Sequence, residues 1–110
     1  METATATLKM YRQSPRKVRL VADAIRGKKV AEALSILQFA DKRAAAPVEK
    51  LVKSALANAK DGGLKEEGLV VSKITVDGGQ ILYRRRARAR GAANPIRKRT
   101  SHINVELSNK

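Results

Sequence analysis

The chain has 110 residues, which suits one domain with a modest core. Twenty-four Lys and Arg against ten Asp and Glu leave a formal net charge of +14, and there is no cysteine. These totals exclude disulfides and thiolate metal sites and point to a polyanionic partner, because self-repulsion on this scale destabilises a compact monomer.

Ala4, Ala6, Leu8 and Met10 alternate with Thr5, Thr7 and Lys9. That period of two predicts a short strand with those four residues on its apolar side. Ser14 before Pro15 marks a helix start, as N-cap and first helical position. Val18, Val21, Ala22 and Ile25 then recur at helical spacing, and Gly27 supplies the stop. A second short helix is predicted from Val30 to about Phe39, with Ala33, Leu34 and Leu37 inward. Asp41 is the expected cap of a third, with Pro47 in its first turns. Its stripe is Val48, Leu51, Val52, Ala55, Leu56 and Ala59, and it ends near Asp61-Gly62-Gly63.

From Leu69 the period returns to two. Val70, Ser72, Ile74 and Val76 fall on one face, and Leu69, Val71, Lys73 and Thr75 on the other, in a strand rich in β-branched residues. Asp77-Gly78-Gly79 reads as a turn or bulge that interrupts it. Ile103, Val105 and Leu107 alternate with His102, Asn104 and Glu106 to give a last strand. With two tyrosines and one phenylalanine, the core is one of Val, Ile, Leu and Ala.

Between the last two strands lies RRRARARG, Arg84 to Gly91, with five arginines in eight residues. Arg97, Lys98 and Arg99 follow, and no carboxylate occurs between Asp77 and Glu106. A structureless loop of this length is unusual inside a compact domain. An extended hairpin solves the difficulty: a basic arm over about 80–99, a turn near Gly91 to Pro95, and a body formed by about 1–79 and 100–110. Ten residues at ~3.3 Å each would reach about 30 Å beyond that body. Arg86, Arg88 and Arg90 would share one face, and Ala87, Ala89 and Gly91 the other. The guanidinium fork fits phosphate oxygens and stacks on exposed bases. With few apolar contacts to offset ordering, the arm is expected to be mobile alone and ordered when bound.

A second basic cluster is Arg12, Arg16, Lys17, Arg19, Arg26, Lys28 and Lys29. Arg16, Arg19, Asp23 and Arg26 lie on one side of the first helix, opposite Val18, Val21 and Ile25. Such a face is ordinarily just solvated; the overall charge favours an RNA contact, and the Ser14-Pro15 start can offer free N–H groups to a phosphate. Thr100 and Ser101 could bond phosphate or the neighbouring strand. His102, the single histidine, has no acid–base or metal partner at motif spacing and is placed at the mouth of the arm as a packed or hydrogen-bonding residue. Glu66 and Glu67 read as solvated.

No nucleophile–base pair or phosphate-cradling loop is visible, so neither an enzyme nor a metal or cofactor site is expected. No apolar run approaches the roughly 18 residues of a membrane span, and METATATLKM lacks the order of a secretory signal; a soluble cytosolic protein is expected. A membrane-active arm would need an apolar face that this one lacks. The main rival to RNA binding is a sequence-specific DNA-binding protein with a basic minor-groove arm.

The runs SPRKVRLVADAIRGKKVAEALSIL, VEKLVKSALANA and RKRTSHINVEL together resemble the bacterial large-subunit ribosomal protein twenty-two family, a universal one, over about Leu8 to Leu107. The resemblance implies an α+β fold: three helices packed on a small three-stranded antiparallel sheet, with a long protruding β-hairpin. It implies a structural constituent of the large ribosomal subunit, in the cytoplasm. Such a protein binds large-subunit ribosomal RNA, bridges several RNA domains during assembly, and lines the peptide exit tunnel with its hairpin. The implied partners are that RNA, neighbouring ribosomal proteins and the nascent peptide, with no membrane and no self-oligomer. The similarity puts RNA contacts at Arg16, Lys17 and Arg19, at Arg84, Arg85, Arg86, Arg88 and Arg90, and at Lys98, Arg99, Thr100, Ser101 and His102. Tunnel-lining residues are then Leu82, Tyr83, Arg84, Arg85, Arg86, Ala87, Arg88 and Ala89. Leu82 to Arg86 would lie close to the region where family members influence macrolide sensitivity and stalling. Two positions depart from the family's habit: Ala87 often aligns with proline and Ala92 with arginine. A proline would fix φ and leave no N–H there; Pro95, beside Asn94, offers turn rigidity by another route.

Overall fold

A computed structural model describes residues 3–79, 81–87 and 93–109, with backbone alone for 82–87 and 93–98. In chain order the elements are β1 (Thr3–Tyr11), α1 (Pro15–Ile25), α2 (Val30–Phe39), α3 (Ala45–Asp61), β2 (Leu69–Gly78), β3 (Leu82–Ala87), β4 (Ala93–Lys98) and β5 (Ser101–Asn109). The fold is α+β, as the resemblance implied. β1, β5 and β2 form an antiparallel sheet with β5 in the middle, and β3 and β4 form a separate two-stranded ribbon.

Alternation along β5 sets the layering. Ile103, Val105 and Leu107 are at most 1% exposed and face the helices, while Asn104 lies with Thr5, Thr7, Lys73 and Thr75 on the uncovered polar face. Onto the apolar face pack Val18, Val21, Ala22 and Ile25 of α1, Val30, Ala33 and Leu37 of α2, and a stripe of α3 from Ala45 to Ala59. α1 starts where Pro15 can start it: the Ser14 carbonyl accepts the Lys17 and Val18 N–H groups, though the Ser14 hydroxyl caps nothing. It stops at Gly27, whose φ of +81° suits a residue without Cβ. The bounds expected for α2 are those found.

Five expectations need correction. Met10 is not on the apolar side. The β1–β5 register slips between Leu8 and Tyr11, so Lys9 and Met10 together oppose one residue. Met10 takes φ +58° and is 39% exposed, and Tyr11 packs on the core in its place. Asp41 does not cap α3. That helix begins at Ala45 behind an Ala44 N-cap with no side-chain cap, because burial of Ala44 and Ala45 (1% and 3% exposed) sets its start.

The faces assigned to β2 are mixed rather than regular. Val71 pairs with Leu107 and Lys73 with Glu106, leaving Ser72 as an extra residue whose hydroxyl donates to the Glu106 carbonyl. Leu69 and Val71 therefore point inward before the bulge, and Ile74 and Val76 after it. Asp77-Gly78-Gly79 does not interrupt the strand: Asp77 and Gly78 pair with His102 and Ser101, and Gly79 N–H donates to the Thr100 carbonyl at 2.9 Å. Finally, Asn94 and Pro95 are not in the arm's turn. They lie in β4 opposite Arg86 and Arg85, which confines the connection to 88–92, outside the described residues. Both strands of a two-stranded ribbon are edges, where proline is tolerated.

The molecule is long, with extents of 62 × 25 × 17 Å and a radius of gyration of 17.0 Å. A compact chain of this length would have a radius of about 13 Å.

Candidate nucleic-acid interface

The root of the arm is the best-built feature near the basic residues. Both strands of the arm enter through it. Thr100 and Ser101 are buried at 1% and 0% exposure. Ser101 Oγ donates to the Gln13 carbonyl at 2.6 Å, and the Thr100 hydroxyl lies 3.8 Å from the Met10 sulfur. Of the two roles open to these hydroxyls, bonding inside the protein is the one this geometry gives. His102 is half-buried, and its Nδ1 accepts the Met10 N–H at 3.1 Å. That contact satisfies a donor which the β1 bulge takes out of the ladder. His102 is thus the packed, hydrogen-bonding residue expected at the mouth of the arm.

Beside the root, Ser14, Pro15, Arg16, Arg19, Gly78 and Arg99 line an open concavity of about 370 Å³. The fold thereby joins the first helix turn to the returning strand of the arm, two basic sets far apart in sequence. Arg16 and Arg99 are exposed. Arg19 is partly committed: its Nε and Nη2 donate to the Val76 carbonyl at 3.1 and 3.0 Å. A guanidinium has five N–H donors, so Arg19 can hold this carbonyl and an anion together.

Arg26 does similar work further along. It donates to the Ile74 carbonyl at 2.9 Å and pairs with Asp23. Gly27 N–H donates to the Val71 carbonyl at 2.9 Å, and Val71 N–H to the Lys28 carbonyl at 2.8 Å. β2 is an edge strand, and an uncovered edge invites pairing with another chain. α1 and its C-terminal link cover that edge from Val71 to Val76. Sequence reasoning missed this role, since no local pattern announces a side chain that reaches a distant backbone carbonyl. It missed Gln13 as an anchor for the same reason.

The second basic cluster is divided by the fold. Arg12, Lys17, Lys28 and Lys29 are exposed. Lys29 bridges to Val70 at the start of β2, whereas Arg16 and Arg19 sit at its end beside Gly78. Eight residues of strand separate the two ends, roughly 25 Å. On the arm, the backbones of Arg84, Arg85 and Arg86 pair with Ile96, Pro95 and Asn94. Arg88, Ala89 and Arg90, and the side chains of Leu82 to Ala87, Arg97 and Lys98, lie outside the described residues; so do the shared face expected for Arg86, Arg88 and Arg90, and Ala92. Among the described residues no group of three or more His, Cys, Asp or Glu is placed to hold a metal ion, and no helix is long and apolar enough to cross a membrane.

Arm, root and cleft together define a small basic α+β protein that joins an acid-free arm to a cleft of arginines on its body. Residues 6–108 match the family model described as ribosomal protein L22p/L17e, and the chain belongs to that family. It is similar to the large ribosomal subunit protein uL22 of Pediococcus pentosaceus, with 53% identity over 98% of this chain and 92% of that one. The protein of the same name from Desulforamulus reducens is 54% identical over 97% and 96%. That from Streptococcus pyogenes is 48% identical over 100% and 97%. Membership makes the chain a structural, non-enzymatic protein of the cytoplasmic ribosome.

Proposed function

We propose that this structural constituent of the large ribosomal subunit binds large-subunit ribosomal RNA, bridges RNA domains during assembly, and extends its β3–β4 arm along the peptide exit tunnel. The observation that carries the reading is the arm itself. Residues 80–99 hold eight basic residues and no acidic one, on a two-stranded ribbon rooted beside the cleft of Arg16, Arg19 and Arg99. In this reading Arg84, Arg85, Arg86, Arg88, Arg90, Arg97, Lys98 and Arg99 contact RNA from the arm. Arg12, Arg16, Lys17, Arg19 and Arg26 do so from the body, and Lys28 and Lys29 from its far end. Thr100, Ser101 and His102 shape the root. Leu82 to Ala89 border the tunnel, where the nascent peptide passes, and neighbouring ribosomal proteins meet the surface that RNA leaves free.

The mechanism is electrostatic and geometric. Each phosphate engaged releases condensed counterions, and arginines fix RNA segments in relation to one another. With six to eight phosphates engaged, log affinity falls with log salt at a slope of about −4 to −7. Titration of the full chain with a large-subunit ribosomal RNA transcript across a salt series tests this, and a slope near zero would contradict it. Duplex DNA in the same competition should bind more weakly; preference for one DNA sequence would favour the rival reading. Co-fractionation with the large subunit at one copy per particle is expected. Replacement of Ala87 or Ala89 by a bulky residue should alter translation or macrolide sensitivity in assembled ribosomes, and no change would count against the tunnel placement.

A further inference from the structure

The end of α2 carries a feature that neither the core nor the arm accounts for. Phe39 is 79% exposed, the highest value for a large hydrophobic residue among those described, and it is the chain's only phenylalanine. The buried residues of α2 are Val30, Ala33 and Leu37, so the ring stands off the core. A phenylalanine left in water forgoes one of the larger burial gains available to any side chain. The residues that follow, Asp41, Lys42 and Arg43, are all exposed. The bend that carries them is anchored at both ends, by Leu37 at 3% exposure and by Ala44 and Ala45 at 1% and 3%. Four residues span at most about 14 Å, so the backbones of Lys42 and Arg43 lie within that reach of Phe39, with Asp41 between them. α3 then begins with no side-chain cap and no acidic residue in its first turn.

We infer that Phe39 is a stacking platform for an unpaired base of RNA, with Lys42 and Arg43 holding the adjoining phosphates. The inference rests on the proposal that RNA is the partner and adds a contact of different chemistry. An aromatic face beside cations is how proteins hold single-stranded nucleotides, and the chain's charge of +14 selects a polyanion as occupant. A protein neighbour would ask for a contiguous apolar patch of several hundred Å², whereas after Ala40, which packs on the core, this ring is followed by the charged residues Asp41, Lys42 and Arg43.

The test uses the full chain and a large-subunit ribosomal RNA transcript. F39A should bind about 5- to 150-fold more weakly, the range for loss of one stacked base. F39W and F39Y should stay close to the parent, and F39L, apolar but without a π face, should behave as F39A. The salt slope should not change in F39A, because a ring releases no counterion. The K42A/R43A double variant should flatten it by about 1 to 2. The melting temperature of F39A should match the parent, since the ring supports no core. If F39A binds like the parent, or F39L rescues as well as F39W, the stack is overturned and the ring faces protein or solvent. If the parent itself fails to bind RNA, the broader proposal falls and takes this one with it.

Discussion

A Cβ built on Gly79 would lie 2.5 Å from the Thr100 hydroxyl oxygen and 3.1 Å from the His102 ring. The sequence marks the glycine pair plainly but suggests the wrong cause, because a turn and a close approach call for the same residue. Gly79→Ala should cost about 1–3 kcal/mol through overpacking, read from urea denaturation. Gly78→Ala, whose Cβ would meet only Pro15 Cγ at 4.0 Å, is the tolerant control. The arginines of α1 divide in a similar way. Arg16 is exposed, so Arg16→Ala should weaken RNA binding without moving the melting temperature. Arg19→Ala should do both, since loss of its two contacts to Val76 removes about 1 kcal/mol, a shift of about 4 °C in a domain of this size. If Arg19→Ala melts like the parent, the edge contact contributes nothing.

Helices are the elements most legible in the chain, because their signals are local. Ser14-Pro15 starts α1, Gly27 ends it, and the stripe from Val48 to Ala59 is the buried face of α3. Strands are legible only in part. Val70, Ser72, Ile74 and Val76 make a regular alternation on paper, yet Ser72 is an extra residue opposite β5 and reverses the faces before it. A bulge is a property of a pair of strands, so one strand's pattern cannot reveal it. The same holds for Met10. The arm was legible from composition, but the limits of its turn depend on the β3–β4 register. Among the residues whose side chains are described, the core runs from Ala4 to Val76 and from Ile103 to Leu107, with all three helices included. Replacing 82–98 with a short turn should therefore leave the melting temperature within a few degrees and remove most RNA affinity. A body that no longer folds would show that the arm is part of the core.

At the scale of the molecule, charge follows shape. Eight of the 24 basic residues and none of the 10 acidic ones lie in 80–99, so of the net +14 the remaining residues carry only +6. Self-repulsion is screened by salt. Raising sodium chloride from 50 to 300 mM, which shortens the screening length about 2.4-fold, should raise the melting temperature of the full chain more than that of the arm-deleted one; equal responses would mean that the arm's charge does not strain the free protein. The cleft of Arg16, Arg19 and Arg99 was illegible because only the folded sheet brings α1 to the arm. The root beside it makes the arm a cantilever. β3 is six residues long, about 20 Å, so a tilt of about 5° where Gly79 meets Thr100 would displace its far end by roughly 2 Å. Small faults in side-chain fit around Met10, Gly79 and His102 would thus emerge, magnified, at a distance from any altered residue.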